Sequence, residues 1–167
     1  NPIIKSKYQQ IFSPQTAYQI TSMLKGVIER GTGKGLKNLK LELAGKTGTT
    51  NKNTDTWFIG FTSNLVVGVY IGYDNPRSLG KFETGSKTAM PVFKEFMKRT
   101  ANSDNARPFK VADNIKKMVV DAKTGKKANS KTKEVIIESF KKFDNNSNNL
   151  LSNFDSGLNT TNILKFY

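Results

Sequence analysis

A mixed α/β chain of the α+β kind, an antiparallel sheet packed with helices, follows from three features of the sequence. Two segments, about 14–30 and 88–99, carry apolar residues at helical spacing. Between them, runs at about 39–49, 55–62 and 65–74 have strand character: alternating leucines in the first, β-branched and aromatic residues in the others. Short polar turns join these runs, which favours antiparallel neighbours in a meander.

Taken in order, residues 1–12 read as a leader, and Ser13-Pro14 opens the first helix. Serine at the N-cap and proline at the first helical position suit a helix start, and Gly31 stops it after Arg30. Ala17, Ile20, Leu24, Val27 and Ile28 form the expected apolar stripe, and Gly31-Thr32-Gly33-Lys34-Gly35 a flexible loop. Leu39, Leu41 and Leu43 at period two predict a half-buried strand that runs on into Lys46-Thr47-Gly48-Thr49. The second helix is predicted to bury Ala89, Val92, Phe93, Phe96 and Met97. Residues 101–108 form a polar linker, 109–143 a small β-rich appendage turning at Lys123-Thr124-Gly125, and 144–167 an Asn- and Ser-rich tail expected to be disordered.

Composition narrows the chemistry. At 167 residues the chain is long enough for one ordinary domain, and it contains neither His nor Cys. Imidazole catalysis, disulfides and thiolate metal sites are therefore excluded. A net charge of +14 invites an anionic partner. The lysines are scattered rather than gathered into a stripe, and no nucleic-acid motif accompanies them, so no nucleic-acid partner is expected. No apolar run approaches the ~20 residues that cross a bilayer.

Lys46-Thr47-Gly48-Thr49 is the stretch that carries chemistry. A cation, two hydroxyls and a backbone exposed beside a glycine can serve one ligand, and such an edge can bind a peptide as an added strand. Lys-Thr-Gly recurs at Lys123-Thr124-Gly125, so the tripeptide alone decides nothing. Its surroundings do: Gly45-Lys46-Thr47-Gly48-Thr49-Thr50-Asn51, then Asp55-Thr56-Trp57-Phe58-Ile59-Gly60-Phe61, Val66-Val67-Gly68-Val69-Tyr70-Ile71-Gly72-Tyr73-Asp74 and Gly85-Ser86-Lys87-Thr88-Ala89-Met90-Pro91-Val92-Phe93. Together, over roughly residues 10–142, these closely resemble the C-terminal part of the transpeptidase domain of bifunctional, class A penicillin-binding proteins, nearest to the 1A type.

The resemblance implies part of the serine β-lactamase and penicillin-binding transpeptidase fold at residues 1–100. It implies acyl transfer through a serine ester, without metal or organic cofactor. Lys46 would attract the substrate's terminal carboxylate and help hold the proton network, and Thr47 and Thr49 hydroxyls would bind that carboxylate. The Thr49 N–H would form half of the oxyanion hole, Gly48 would let the ligand lie close, and Thr50 would border the groove. Implied partners are a peptidoglycan stem peptide ending in D-Ala-D-Ala, β-lactams, and the upstream part of the same protein, which carries the nucleophile, a glycosyltransferase domain and the membrane anchor. The implied location is the periplasmic side of a bacterial inner membrane.

Matches to the family's other motifs read as decoys. Ser-x-x-Lys occurs at Ser22/Lys25, Ser78/Lys81, Ser130/Lys133 and Ser139/Lys142, close to background in a Lys-rich chain. Ser22 lies opposite the apolar stripe, is expected to face solvent, and precedes Lys46 too closely for a helical subdomain to intervene. Ser103-Asp104-Asn105 spells the second motif but follows Lys46, reversing the family's order. The chain alone is therefore expected to be inactive. Two rival readings are a degenerate or split-gene remnant and a basic structural module that binds an anionic polymer.

Overall fold

Ser13 caps the first helix, α1 (Pro14–Glu29), by accepting the Thr16 N–H, and Pro14 fills the first turn, where a missing N–H costs nothing. This computed structural model describes residues 9–100 and 106–142; the expected leader up to residue 8, most of the linker and the tail lie outside the described residues. At the other end of α1, Gly31 N–H donates to the carbonyls of Gly26 and Val27, closing the helix where the glycine predicts.

The strand expected over 39–49 is split. Lys34–Leu39 wind into a 3-10 helix, Lys40 turns the chain in the left-handed region at φ 55°, and β1 spans only Ala44–Thr49. The spaced leucines record a chain dipping repeatedly into the core: Leu36 and Leu43 are buried, and Leu39 and Leu41 pack against them. Period two arises here without a strand.

β2 (Asp55–Phe61) and β3 (Val66–Gly72) complete an antiparallel sheet of order β1-β2-β3. Register pairs Lys46 with Ile59, Gly48 with Trp57 and Thr49 with Thr56, so directly opposed residues share a face. Thr56 and Phe58 point to the inner face, where α2 (Ala89–Thr100) lies. The Phe58 and Phe93 rings meet there with centroids 4.7 Å apart, beside Ile28, Leu36, Ala89 and Met97. On the outer face Trp57, Ile59 and Tyr70 are exposed, and Val66 is 71% exposed.

Both helical stripes shift from their predicted positions. In α2 the buried set is Ala89, Met90, Phe93 and Met97, while Val92 is 52% exposed and Phe96 also faces outward. The sheet contacts a narrower arc than the run of apolar residues offers. In α1 only the C-terminal turns are buried, at Gly26, Val27 and Ile28, while Ala17 and Ile20 are exposed.

The rest of α1 faces a hairpin of β4 (Ile115–Asp121) and β5 (Val135–Lys141). Its contacts are polar and follow one helical face. Gln15 Nε2 donates to the Asp113 carbonyl at 3.0 Å, Gln19 Nε2 to that of Ser139 at 3.1 Å, Lys141 Nζ to Thr16 Oγ1 at 2.7 Å, and Arg30 pairs with Glu138. Glu42 ties the parts together: its carboxylate accepts from Lys25 Nζ and, at 2.8 Å, from the Phe109 N–H. Partial burial raises its pKa, but the Lys25 hydrogen bond, the Phe109 N–H and the charges of Lys25 and Lys117 outweigh that and hold it below the ordinary carboxylate value.

Candidate active site

The second half of β1 brings Lys46, Thr47, Gly48 and Thr49 to the edge of the sheet, with Thr50 opening the turn to β2. Thr50 N–H donates to the Asp55 carbonyl at 3.0 Å, so Thr50 faces β2. Backbone groups alternate along a strand, and the N–H and C=O of Thr49 and Thr47 therefore point away from β2 to the free edge. Lys46 reports the same geometry, because its Nζ curls over to donate to the Thr47 carbonyl at 2.9 Å. One edge thus offers an ammonium and two outward N–H groups.

Side chains divide between the faces. Lys46 shares the outer face with Ile59, and Thr47 and Thr49 share the inner face with Phe58 and Thr56. Both threonine hydroxyls already have partners: Thr47 Oγ1 lies 2.9 Å from Thr32 Oγ1, and Thr49 Oγ1 accepts the Gly85 N–H at 3.0 Å. Thr49 keeps its own O–H proton free to donate. Thr50 Oγ1 accepts the Asp55 N–H at 2.8 Å and lies 2.8 Å from Thr54 Oγ1, so it closes the turn beneath the site.

A contact that the sequence does not announce holds the strand in place. Gly85, on the segment leading into α2, lies against the strand backbone beside Gly48. A Cβ there would come within 2.5 Å of the Gly48 carbonyl oxygen and nearer still to that of Trp57. Thr88 Oγ1 meets Thr56 Oγ1 at 2.7 Å and anchors the same segment. The one readable signal is a glycine four residues before a helix, at a spacing no local rule connects with Thr49.

Behind the turn, Asp55 accepts from Tyr70 at 2.7 Å and from Thr54 at 2.9 Å. Hydrogen bonds from the Tyr70 hydroxyl and Thr54 pull the Asp55 pKa down, with a smaller contribution from Thr50, against the opposing effect of desolvation. The same bond pushes Tyr70 up. This pair sits on the outer face beside Trp57, whose ring centroid is 4.9 Å from that of Tyr70.

The serine motifs are not assembled as a nucleophile. Ser22 does not face solvent as expected; its Oγ lies 3.1 Å from Ser139 Oγ, under the hairpin. The reason is that α1 presents two faces to partners, and the polar one is covered by β5. Lys25, one turn later, is engaged by Glu42. Ser78 Oγ accepts the Gly80 N–H in a loop, and Ser139 is buried on β5. At the second Lys-Thr-Gly, the Asp121 carboxylate accepts the N–H groups of Lys123 and Thr124, and Gly125 has φ 69°, so that copy builds a turn. Ser103-Asp104-Asn105 lies outside the described residues. Among the described residues no group of His, Cys, Asp and Glu can hold a metal, and no helix is long and apolar enough to cross a membrane.

The sequence model of the penicillin binding protein transpeptidase domain matches residues 4–98, which include every strand residue of this edge. The chain belongs to this family. Penicillin-binding protein 1A of Rickettsia felis is 46% identical over 139 residues, 83% of this chain but 17% of that protein. The Pseudomonas aeruginosa protein of the same name is 38% identical over 137 residues, again 17% of its length. The crystal structure of penicillin-binding protein 1A from Haemophilus influenzae superposes with a TM-score of 0.67 at 30% identity, covering 78% of this chain and 20% of that one. The α+β architecture is therefore that of the transpeptidase fold, and the chain spans about a fifth of these relatives.

Proposed function

We propose that this chain supplies the Lys-Thr-Gly side of a D,D-transpeptidase site that crosslinks peptidoglycan. A serine nucleophile from residues outside these 167 would attack the penultimate D-Ala carbonyl of a stem peptide. The terminal D-Ala leaves as the amine, and an amine of a neighbouring peptide takes the acyl group from the serine ester. β-Lactams would acylate the same serine.

In this reading Lys46 draws the substrate's terminal carboxylate, with the Thr47 and Thr49 hydroxyls beside it, and Gly48 leaves the strand backbone open to the ligand. The outward Thr49 N–H is one oxyanion donor; loss of such a donor typically costs about 3 kcal/mol of barrier. Thr50 shapes the end of the groove. No cofactor takes part, and the site works on the periplasmic side of a bacterial inner membrane, to which the protein is held by a segment outside this chain. The observation that carries the reading is the free edge of β1, where Lys46 Nζ, bonded to the outward Thr47 carbonyl, and the outward N–H of Thr49 lie along the one side of that strand that β2 does not pair, in a chain of this family.

The chain alone is expected to be inert: Ser22 and Ser139 meet each other between α1 and β5, Lys25 is engaged by Glu42, Ser78 accepts a loop N–H, and Ser130 lies in an exposed turn. The test is intact mass after incubation with a β-lactam, for the chain alone and for the chain mixed with the upstream segment of its parent. An adduct on the upstream serine only in the mixture supports the proposal. An adduct on this chain alone, mapped to Ser22 or another of its serines, overturns it.

A further inference from the structure

The loop that carries Gly85 against the strand also carries an exposed aromatic between two cations. Phe82 is 64% exposed and sits in the left-handed region at φ 74°, a backbone state that a bulky residue adopts only under constraint. Lys81 Nζ and Lys87 Nζ lie 5.2 and 5.7 Å from its ring centroid. Among the described residues neither ammonium has a carboxylate within 4 Å.

The loop is pinned to the candidate site at both ends. Leu79 N–H donates to the Asn53 carbonyl at 2.8 Å and Asn53 Nδ2 to the Gly80 carbonyl at 3.1 Å, while Gly85 N–H donates to Thr49 Oγ1. Phe82 thus belongs to a rim that spans from the Thr50–Thr54 turn back to Thr49.

Direction along β1 says what meets that rim. A peptide whose terminal carboxylate rests at Lys46 and Thr47, and whose scissile carbonyl meets the Thr49 N–H, is laid along the strand edge so that its preceding residues continue past Thr49. That is the end of β1 against which the loop is pinned, through Thr49 and Asn53. The geometry points to Lys81, Phe82 and Lys87 as a subsite that selects acyl-donor peptides bearing a carboxylate on the N-terminal side of D-Ala-D-Ala. The ring supplies a flat apolar surface, and the two ammonium groups supply the charge complement. This rests on the function proposed above and adds a specificity determinant to it.

The test titrates the isotope-labelled 167-residue chain, mixed with the upstream segment of its parent, at low salt with N-acetyl-Glu-Ala-D-Ala-D-Ala and with its Gln counterpart, following the amide resonances of Thr47, Thr49 and Phe82. The acidic probe should bind roughly three- to tenfold tighter, the scale of one to two exposed ion pairs. In the Lys81→Ala/Lys87→Ala variant the two probes should bind alike, and Lys46→Ala should weaken both equally. Equal affinities in the unmodified chain, or a preference that survives the double substitution, overturn the subsite and leave the site reading standing. If neither probe moves Thr47 or Thr49, the site reading itself fails and the subsite with it.

Discussion

Replacing Gly85 by alanine tests the seam between the α2 segment and the candidate strand. The added Cβ would stand within 2.5 Å of two backbone carbonyl oxygens, those of Gly48 and Trp57, and 3.2 Å from the Gly48 nitrogen. Ordinary contact needs roughly 1 Å more, and both oxygens belong to paired strands that cannot swing aside as a flexible side chain would. The loop must therefore lift, which also stretches the Gly85 N–H bond to Thr49 Oγ1 from its present 3.0 Å. Overpacking of this kind costs about 1–3 kcal/mol, and a strained hydrogen bond adds up to about 1 kcal/mol. For a unit of this size about 2 kcal/mol lowers Tm by roughly 8 °C. Gly68→Ala is the control on the same sheet, since its Cβ meets nothing closer than Ile59 Cγ1 at 3.9 Å, and it should be neutral or slightly stabilising. Thermal unfolding of the three proteins, with the Thr49 amide shift as a local reporter, decides the matter. A Gly85→Ala variant with the Tm and Thr49 shift of the unmodified chain would refute the reasoning.

Three further outcomes are expected. Phe93→Ala, at a site with 0% exposure against Phe58, should cost about 3–5 kcal/mol in denaturant unfolding and leave little folded protein at 37 °C. Glu42→Gln should cost about 1–2 kcal/mol near pH 7, where the carboxylate is charged and holds Lys25 and the Phe109 N–H. Because the folded pKa is depressed, that contribution is present above the ordinary carboxylate range and disappears as pH falls through the lowered value. The gap between the two proteins in Tm should therefore narrow as pH falls below the ordinary carboxylate range, and a constant gap across the range counts against the assignment. Phe82→Gly relieves a left-handed φ while giving up little burial, so it should raise stability by up to about 1 kcal/mol, read as a higher Tm.

The elements that local chemistry specifies were legible in the sequence. Ser13-Pro14 and Gly31 bracket α1 to within two residues, and β2 and β3 end within a residue or two of their predicted bounds. The failures share a cause. Leu39, Leu41 and Leu43 spell a strand, but burial of Leu36 and Leu43 is met by a 3-10 turn and the left-handed Lys40 instead. Val92, Phe96, Ala17 and Ile20 are apolar at the right spacing, yet nothing in the spacing says how wide an arc the neighbouring element covers. Ser22 is polar because a hairpin more than a hundred residues away packs on it, at Ser139. The same limit governs the candidate site. Lys46 to Thr49 were readable as the end of a strand and Thr50 as the start of its turn, whereas the partners of Thr47 and Thr49, Thr32 and Gly85, come from the segments following α1 and preceding α2.

The division of β1 between two faces explains why its residue types differ so sharply. Residues that point inward must be fixed, because the outward position of the Thr49 N–H depends on how the strand is seated. Thr47 and Thr49 therefore carry short hydroxyls that lock to Thr32 and to the Gly85 N–H, and long side chains there would collide with the loop. Lys46 points to the other face, where Trp57, Ile59, Val66 and Tyr70 form an exposed apolar surface. An exposed patch of large apolar side chains marks an interaction surface. Lys46 shares that face with Ile59, so on the reading proposed here a body that buried the sheet there would also come beside the Lys46 side chain, and it would be the part that brings the nucleophile. Completing the fold and completing the site would then be a single event, one in which a substrate carboxylate competes with the Thr47 carbonyl for the Lys46 ammonium.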